Sequence, residues 1–94
     1  MAGVRIVVQF RADSVQTANQ LVQALAERSQ TVQKEPGCQQ FEVFRSVLQP
    51  EHYALIELWE SQEVLDQRAR AQGGPPAPPA GVTRVVERYA HQAG

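Results

Sequence analysis

Residues 70–82 read RAQGGPPAPPAGV, and this run limits the possible folds more than any other part of the chain. Four prolines and three glycines cannot lie inside a helix or a central strand, because proline lacks the N–H and fixes φ while glycine costs backbone entropy. One regular element must therefore end before the run and another must begin after it. Ninety-four residues make one domain with a single core. The segment after the run, residues 82–94, is too short to fold alone, and VTRVVERYA has the β-branched alternation of a strand still owed to the main sheet. The run is thus expected to be a loop over 73–81 within one domain spanning 1–94, and not a linker.

The rest of the chain divides by periodicity. VRIVVQF places Val4, Ile6, Val8 and Phe10 on one face and Arg5, Val7 and Gln9 on the other, a half-buried strand over about 3–11. Asp13 or Ser14 can cap a helix over about 14–34, and Asp13 with Gln16 resembles a capping box. Its buried stripe is Val15, Ala18, Leu21, Val22, Leu25, Ser29 and Val32, and Pro36-Gly37 stops it. QFEVFRSV continues as a strand over about 39–47, Gln49-Pro50-Glu51 reads as a tight turn, and HYALIELWE returns over about 52–60. Ser61 can cap a second helix over 62–72, with Glu63 near its positive end and a thin stripe of Val64, Leu65 and Ala69. A last strand covers about 82–90.

This β-α-β-β-α-β order predicts an α+β, ferredoxin-like fold: a four-stranded antiparallel sheet with both helices on one face. The other face must then meet water or a partner. If Ala54, Ile56 and Leu58 face the helices, the open face carries Val7, Phe44, Leu55, Trp59, Val85 and Tyr89 among Glu42, Glu57 and Glu87. An apolar patch of that size predicts a homodimer packed sheet against sheet.

Composition narrows the function classes. The formal net charge is −1, with nine basic and ten acidic residues scattered and no basic stripe of the kind nucleic acid requires. No signal-like or membrane-spanning apolar block occurs, so no membrane partner and a cytoplasmic location are expected. The single cysteine, Cys38, allows no internal disulfide. It can be a nucleophile, but a free cysteine is ordinarily a small buried hydrophobe. No cluster has metal-ligand spacing, and the glycines at 73 and 74 precede prolines rather than a helix, so neither a metal nor a nucleotide cofactor is expected.

The segment EPGCQQFEVFRSVLQPEHYALIELWESQEVLDQ, residues 35–67, resembles the antibiotic-biosynthesis monooxygenase family. Members of that family commonly show a Glu-Pro-Gly-Cys turn into Tyr/Phe-Glu-Val, a Pro-containing hairpin turn, and a Glu-x-Trp-Glu-Ser strand end leading into a helix. The resemblance implies a dimeric α+β barrel. It also implies a spread of activities: cofactor-free oxidation of phenolic or anthrone-like rings by dioxygen, quinol oxidation, and haem degradation in one branch. Many relatives carry histidines in the second helix, in the form His-Leu-x-x-x-His-Phe; here that region is QRARAQGGPPAPPAG, shorter and without histidine. The haem-degrading branch relies on such a histidine with an asparagine and a tryptophan; here Gln9 lies in the asparagine's strand and Arg68 near the tryptophan's place, so haem degradation is not expected.

The candidate catalytic residues are His52 and Glu57, and the candidate substrate-binding residues are Trp59, Phe44, Tyr53, Tyr89 and Arg68. Imidazole exchanges protons near neutral pH, although His52 and His91 both lie at strand ends where an idle, exposed histidine is ordinary. Glu42 and Glu57 can share a face as paired carboxylates, or can pair with Arg5, Arg45, Arg84 or Arg88 across an interface. Trp59 is either a packing anchor or the ring that stacks on a flat substrate. Tyr53 and Tyr89 can hydrogen-bond a substrate or a partner subunit. Three readings remain open: a cofactor-free monooxygenase or oxidase of a phenolic, anthrone-like or quinol molecule, a non-catalytic binding or structural module of the same dimeric fold, and a ferredoxin-like RNA binder. The last is disfavoured by the acidic residues around Phe44 and Trp59.

Overall fold

The computed structural model describes residues 2–73 and 77–92. Within them the elements run β1 (Gly3–Ala12), α1 (Val15–Val32), β2 (Cys38–Arg45), β3 (His52–Trp59), α2 (Gln62–Gln72) and β4 (Val82–His91). The sheet order is β2-β3-β1-β4, with every neighbouring pair antiparallel. β4 lies along the whole of β1, from Gly3 opposite His91 to Ala12 opposite Val82. The residues after the Pro/Gly run therefore complete the same sheet. The expected loop over 73–81 falls in part on residues 74–76, which lie outside the described residues.

Local chemistry sets the element ends. Ser14, and not Asp13, caps α1: its hydroxyl accepts the Thr17 N–H at 3.1 Å. Ser61 caps α2 in the same way, accepting from Val64 N at 3.2 Å. At Gly37 the backbone takes φ +83°, and a Cβ there would stand 2.7 Å from Val64 Cγ1. Only glycine both tolerates that φ and lets the turn after α1 lie against α2. The Gly37 carbonyl then accepts the Glu60 N–H at 2.8 Å, tying this turn to the end of β3.

The core lies between the helices and one face of the sheet. Ile6, Val8, Val32, Phe41, Leu55 and Trp59 form its main cluster, and Ala12, Ala18, Tyr53 and Val82 a second. Phe10 and Tyr53 stack between the two, with ring centroids 4.9 Å apart. The assignment of faces on β3 differs from expectation. Tyr53, Leu55, Glu57 and Trp59 are buried under the helices, while Ala54, Ile56 and Leu58 lie half-buried on the open face. The physical reason is volume: indole and phenol fill space that alanine and aliphatic side chains would leave empty, and Glu57 enters the core with a hydrogen-bond donor. Consequently Leu55, Trp59 and Glu57 are not part of the open face. Glu42, opposite Ile56, does not share a face with Glu57, which stands opposite Phe41.

The open face still carries exposed apolar groups, with Phe44, Val85 and Tyr89 each about half exposed or more. Among them Gln9 Nε2 donates to Glu87 at 3.0 Å, and the Tyr89 hydroxyl donates to the same carboxylate. Among the described residues no helix is long and apolar enough to cross a membrane.

Candidate active site

α1 and α2 do not close over β1 and β4, and the gap is a cleft of about 490 Å³. Ile6, Val8 and Val86 make its floor, Leu25 of α1 and Leu65 of α2 its walls, and Pro78 and Pro79 part of its rim. The short second helix and Pro78-Pro79 thus shape the cleft mouth directly.

One buried carboxyl lies in this setting. Glu57 is 9% exposed, and the Trp59 indole N–H donates to its Oε1 at 2.8 Å. Burial raises the Glu57 pKa above the ordinary carboxylate value; the Trp59 hydrogen bond and the charges of Arg68, Arg28 and Arg88 pull it back without cancelling the rise. A carboxyl held in this state is a better proton acceptor than a solvated one. Arg68 of α2 lies over the Trp59 ring, its Cζ 5.1 Å from the centroid, and its Nε bonds Glu35 at 2.8 Å. Arg28 of α1 lies over Phe41 at 5.9 Å. The alternation on β3, β1 and β4 puts Glu57, Ile6 and Arg88 on one rung of the sheet.

The candidates read from the sequence separate into two places. Glu57, Tyr53 and Arg68 line the cleft. Tyr53 is 4% exposed, and burial raises its phenol pKa, so it is a neutral donor. Trp59 is fully buried, so its ring has no face to offer a substrate; its link to the cleft is the hydrogen bond to Glu57. His52 and Phe44 lie elsewhere, in a shallow groove with Val7, Gln9 and Ala54 at the hairpin end of the sheet. Tyr89 is on the open face. His52 and Glu57 therefore do not form one acid–base pair. Sequence reasoning passed over Arg28, and it treated Arg88 only as an interface cation. The signal available was spacing: Arg84 and Arg88 share parity with Val82 and Val86.

Cys38 is partly exposed, and burial with the nearby Glu35 and Glu57 charges raises its thiol pKa, which disfavours a nucleophilic thiolate. Among the described residues no group of three or more His, Cys, Asp or Glu side chains is gathered to hold a metal ion.

The family model described as antibiotic biosynthesis monooxygenase matches residues 1–72. The chain belongs to the antibiotic biosynthesis monooxygenase family. The match stops where the Pro/Gly run begins, so the cleft rim and β4 lie beyond it. Solved structures share the whole fold. A conserved Bacteroides thetaiotaomicron protein of unknown function is 18% identical, with a TM-score of 0.76 over 95% of this chain and 97% of its own. A Deinococcus radiodurans protein assigned to the antibiotic biosynthesis monooxygenases is 24% identical, with a TM-score of 0.68 over 97% and 92%. The haem degrader MhuD of Mycobacterium tuberculosis, solved with two haems in its active site, is 22% identical, with a TM-score of 0.69 over 97% of each chain. No curated protein matches the chain significantly. Neither His52, His91 nor Cys38 lines the cleft of this chain. Its described lining thus offers an iron porphyrin no imidazole or thiolate, and its one phenol, Tyr53, is buried with its pKa raised, so the residues present do not fit that group.

Proposed function

We propose that the cleft binds a phenolic, anthrone-like or quinol ring and that the protein catalyses its oxidation by dioxygen without metal or flavin. The observation that carries this reading is the buried carboxyl of Glu57, set in an apolar cleft with three arginines acting on it. Glu57 accepts a proton from the ring hydroxyl or from an acidic ring methylene. The guanidinium groups stabilise the ring anion, which is a stronger electron donor than the neutral ring. The apolar floor and walls orient the ring and exclude water.

With an anthrone, the methylene C–H breaks toward Glu57 and the carbanion's electrons pass to dioxygen. A C–O bond forms, the O–O bond breaks, one oxygen stays as the ring carbonyl and the other leaves as water with the two methylene hydrogens. With a hydroquinone, two electrons and two protons pass to dioxygen to give quinone and hydrogen peroxide. Proton acceptance by a positioned carboxylate contributes on the order of 10²–10⁴-fold in rate.

We also propose that two copies pack through the open face, because Phe44, Val85 and Tyr89 leave an apolar surface on a domain of this size. A non-catalytic binding module is the second reading, supported by the absence of histidine from α2. Oxygen uptake by the metal-chelated protein with anthrones and hydroquinones separates the two. Uptake above the uncatalysed rate is expected; ring binding with no uptake would replace the enzyme by the binding module.

A further inference from the structure

The charges of the cleft are not those of the chain. Four of the nine basic residues line it, against two of the ten acidic ones, on a protein whose net charge is −1. Arg68 is already committed to Glu35, through bonds of 2.8 and 3.4 Å, and Asp66 accepts from Gln62 at 3.0 Å. Among the described residues Arg28 and Arg88 form no such ion pair; Arg28 rests on the Phe41 ring, and both act on the Glu57 carboxyl through their charge.

Their placement is specific. Phe41, Glu57, Ile6 and Arg88 form one rung across the four strands, and Arg28 stands above the Phe41 end of it. With strands about 4.8 Å apart, the rung is roughly 14 Å long, with a cation at each end and Glu57 and Ile6 between them. Both guanidinium groups are carried on exposed residues, so they meet water unless a ligand covers them.

We infer that Arg28 and Arg88 are an anion-recognition pair, and that the ring bound in the cleft carries an ionised substituent such as a carboxylate. This inference rests on the reading above that the cleft is the ring-binding site. Guanidinium groups bind carboxylates through paired N–H donors, and such bonds are about twice as strong as neutral ones. A ring lying over Ile6 and Val8 places an edge substituent within reach of one cation or the other. An anion seated there disfavours the ionised form of Glu57, so the proton that Glu57 takes from the ring removes the repulsion between the two. The substrate's own charge then keeps the acceptor basic.

Calorimetric titration of the metal-chelated, full-length protein tests this with two probes, naphthalene-2-sulfonate, which stays anionic, and the neutral naphthalene-2-methanol. Amide shifts at Ile6 and Val86 report whether each sits in the cleft. The sulfonate should bind at least about tenfold more tightly than the alcohol. Arg28→Gln and Arg88→Gln should each weaken the sulfonate about tenfold and leave the alcohol unchanged, whereas Arg70→Gln, outside the cleft, should change neither. Both substituted positions are exposed, so the variants should keep the wild-type fold. Equal affinities for the two probes, or no effect of either substitution, overturns the inference while leaving the ring site standing. Binding of neither probe at Ile6 and Val86 overturns the ring site and the inference with it.

Discussion

Trp59 and Glu57 form a pair whose value can be measured. Replacing Trp59 by Phe removes the N–H that serves the buried carboxyl at 2.8 Å, and it leaves part of a fully buried indole site empty. A hydrogen bond to a charged group contributes about 1.5–3 kcal/mol. The void between indole and phenyl costs about 1 kcal/mol more. Trp59→Phe should therefore destabilise by about 2.5–4 kcal/mol at pH 7. Glu57→Leu strands the indole N–H in turn, at about 1–3 kcal/mol. The double variant Trp59→Phe/Glu57→Leu leaves neither group unpaired, so its loss should fall short of the two single losses taken together by about 1.5–3 kcal/mol. Urea unfolding of the four proteins at one protein concentration gives this coupling, the fixed concentration guarding against subunit association. Losses that add to within about 0.5 kcal/mol would show that the bond does not hold the carboxyl.

Stability should also depend on pH through Glu57. Its pKa is raised in the folded state, so its protonated form is favoured on folding. The ionisation penalty is absent below the ordinary carboxylate value, grows as pH rises through the raised folded pKa, and is full above it. Urea midpoints from pH 4 to 8 should fall more steeply for wild type than for Glu57→Gln. Gly37→Ala should lose about 1–3 kcal/mol, because φ +83° strains an L side chain and its Cβ meets Val64; Val64→Ala should restore only the clash part of that loss, as thermal unfolding will report. Val85→Arg, at a position 61% exposed on the open face, should shift sedimentation equilibrium from dimer to monomer with unchanged circular dichroism.

Much of the fold was legible because its signals are local. Ser14, Ser61 and Pro36-Gly37 mark helix ends by backbone chemistry, and alternation marks the strands. The faces of β3 were not legible by the same means. Ala54, Ile56 and Leu58 are the purely apolar set, yet the core took the bulkier set that includes a carboxyl. Polarity alone ranks Glu57 as a surface residue; its burial depends on Trp59 two positions away on the same face, and on arginines from α1, α2 and β4 that only the fold gathers. The same applies to the cleft. Arg28 and Arg88 are sixty positions apart in sequence, and their relation through one sheet rung appears only once β4 is paired with β1. The Pro/Gly run announced a break in the pattern, but not that Pro78 and Pro79 would form part of the rim of a site.

The central claim is that Glu57 accepts the substrate's proton in the cleft. The most direct measurement is steady-state oxygen uptake by metal-chelated wild type and Glu57→Gln with an anthrone, resolved into kcat and KM. Glutamine keeps the shape and cannot take the proton, so kcat should fall by on the order of 10²–10⁴-fold with KM little changed. A Glu57→Gln protein that oxidises the anthrone at the wild-type kcat would contradict the account.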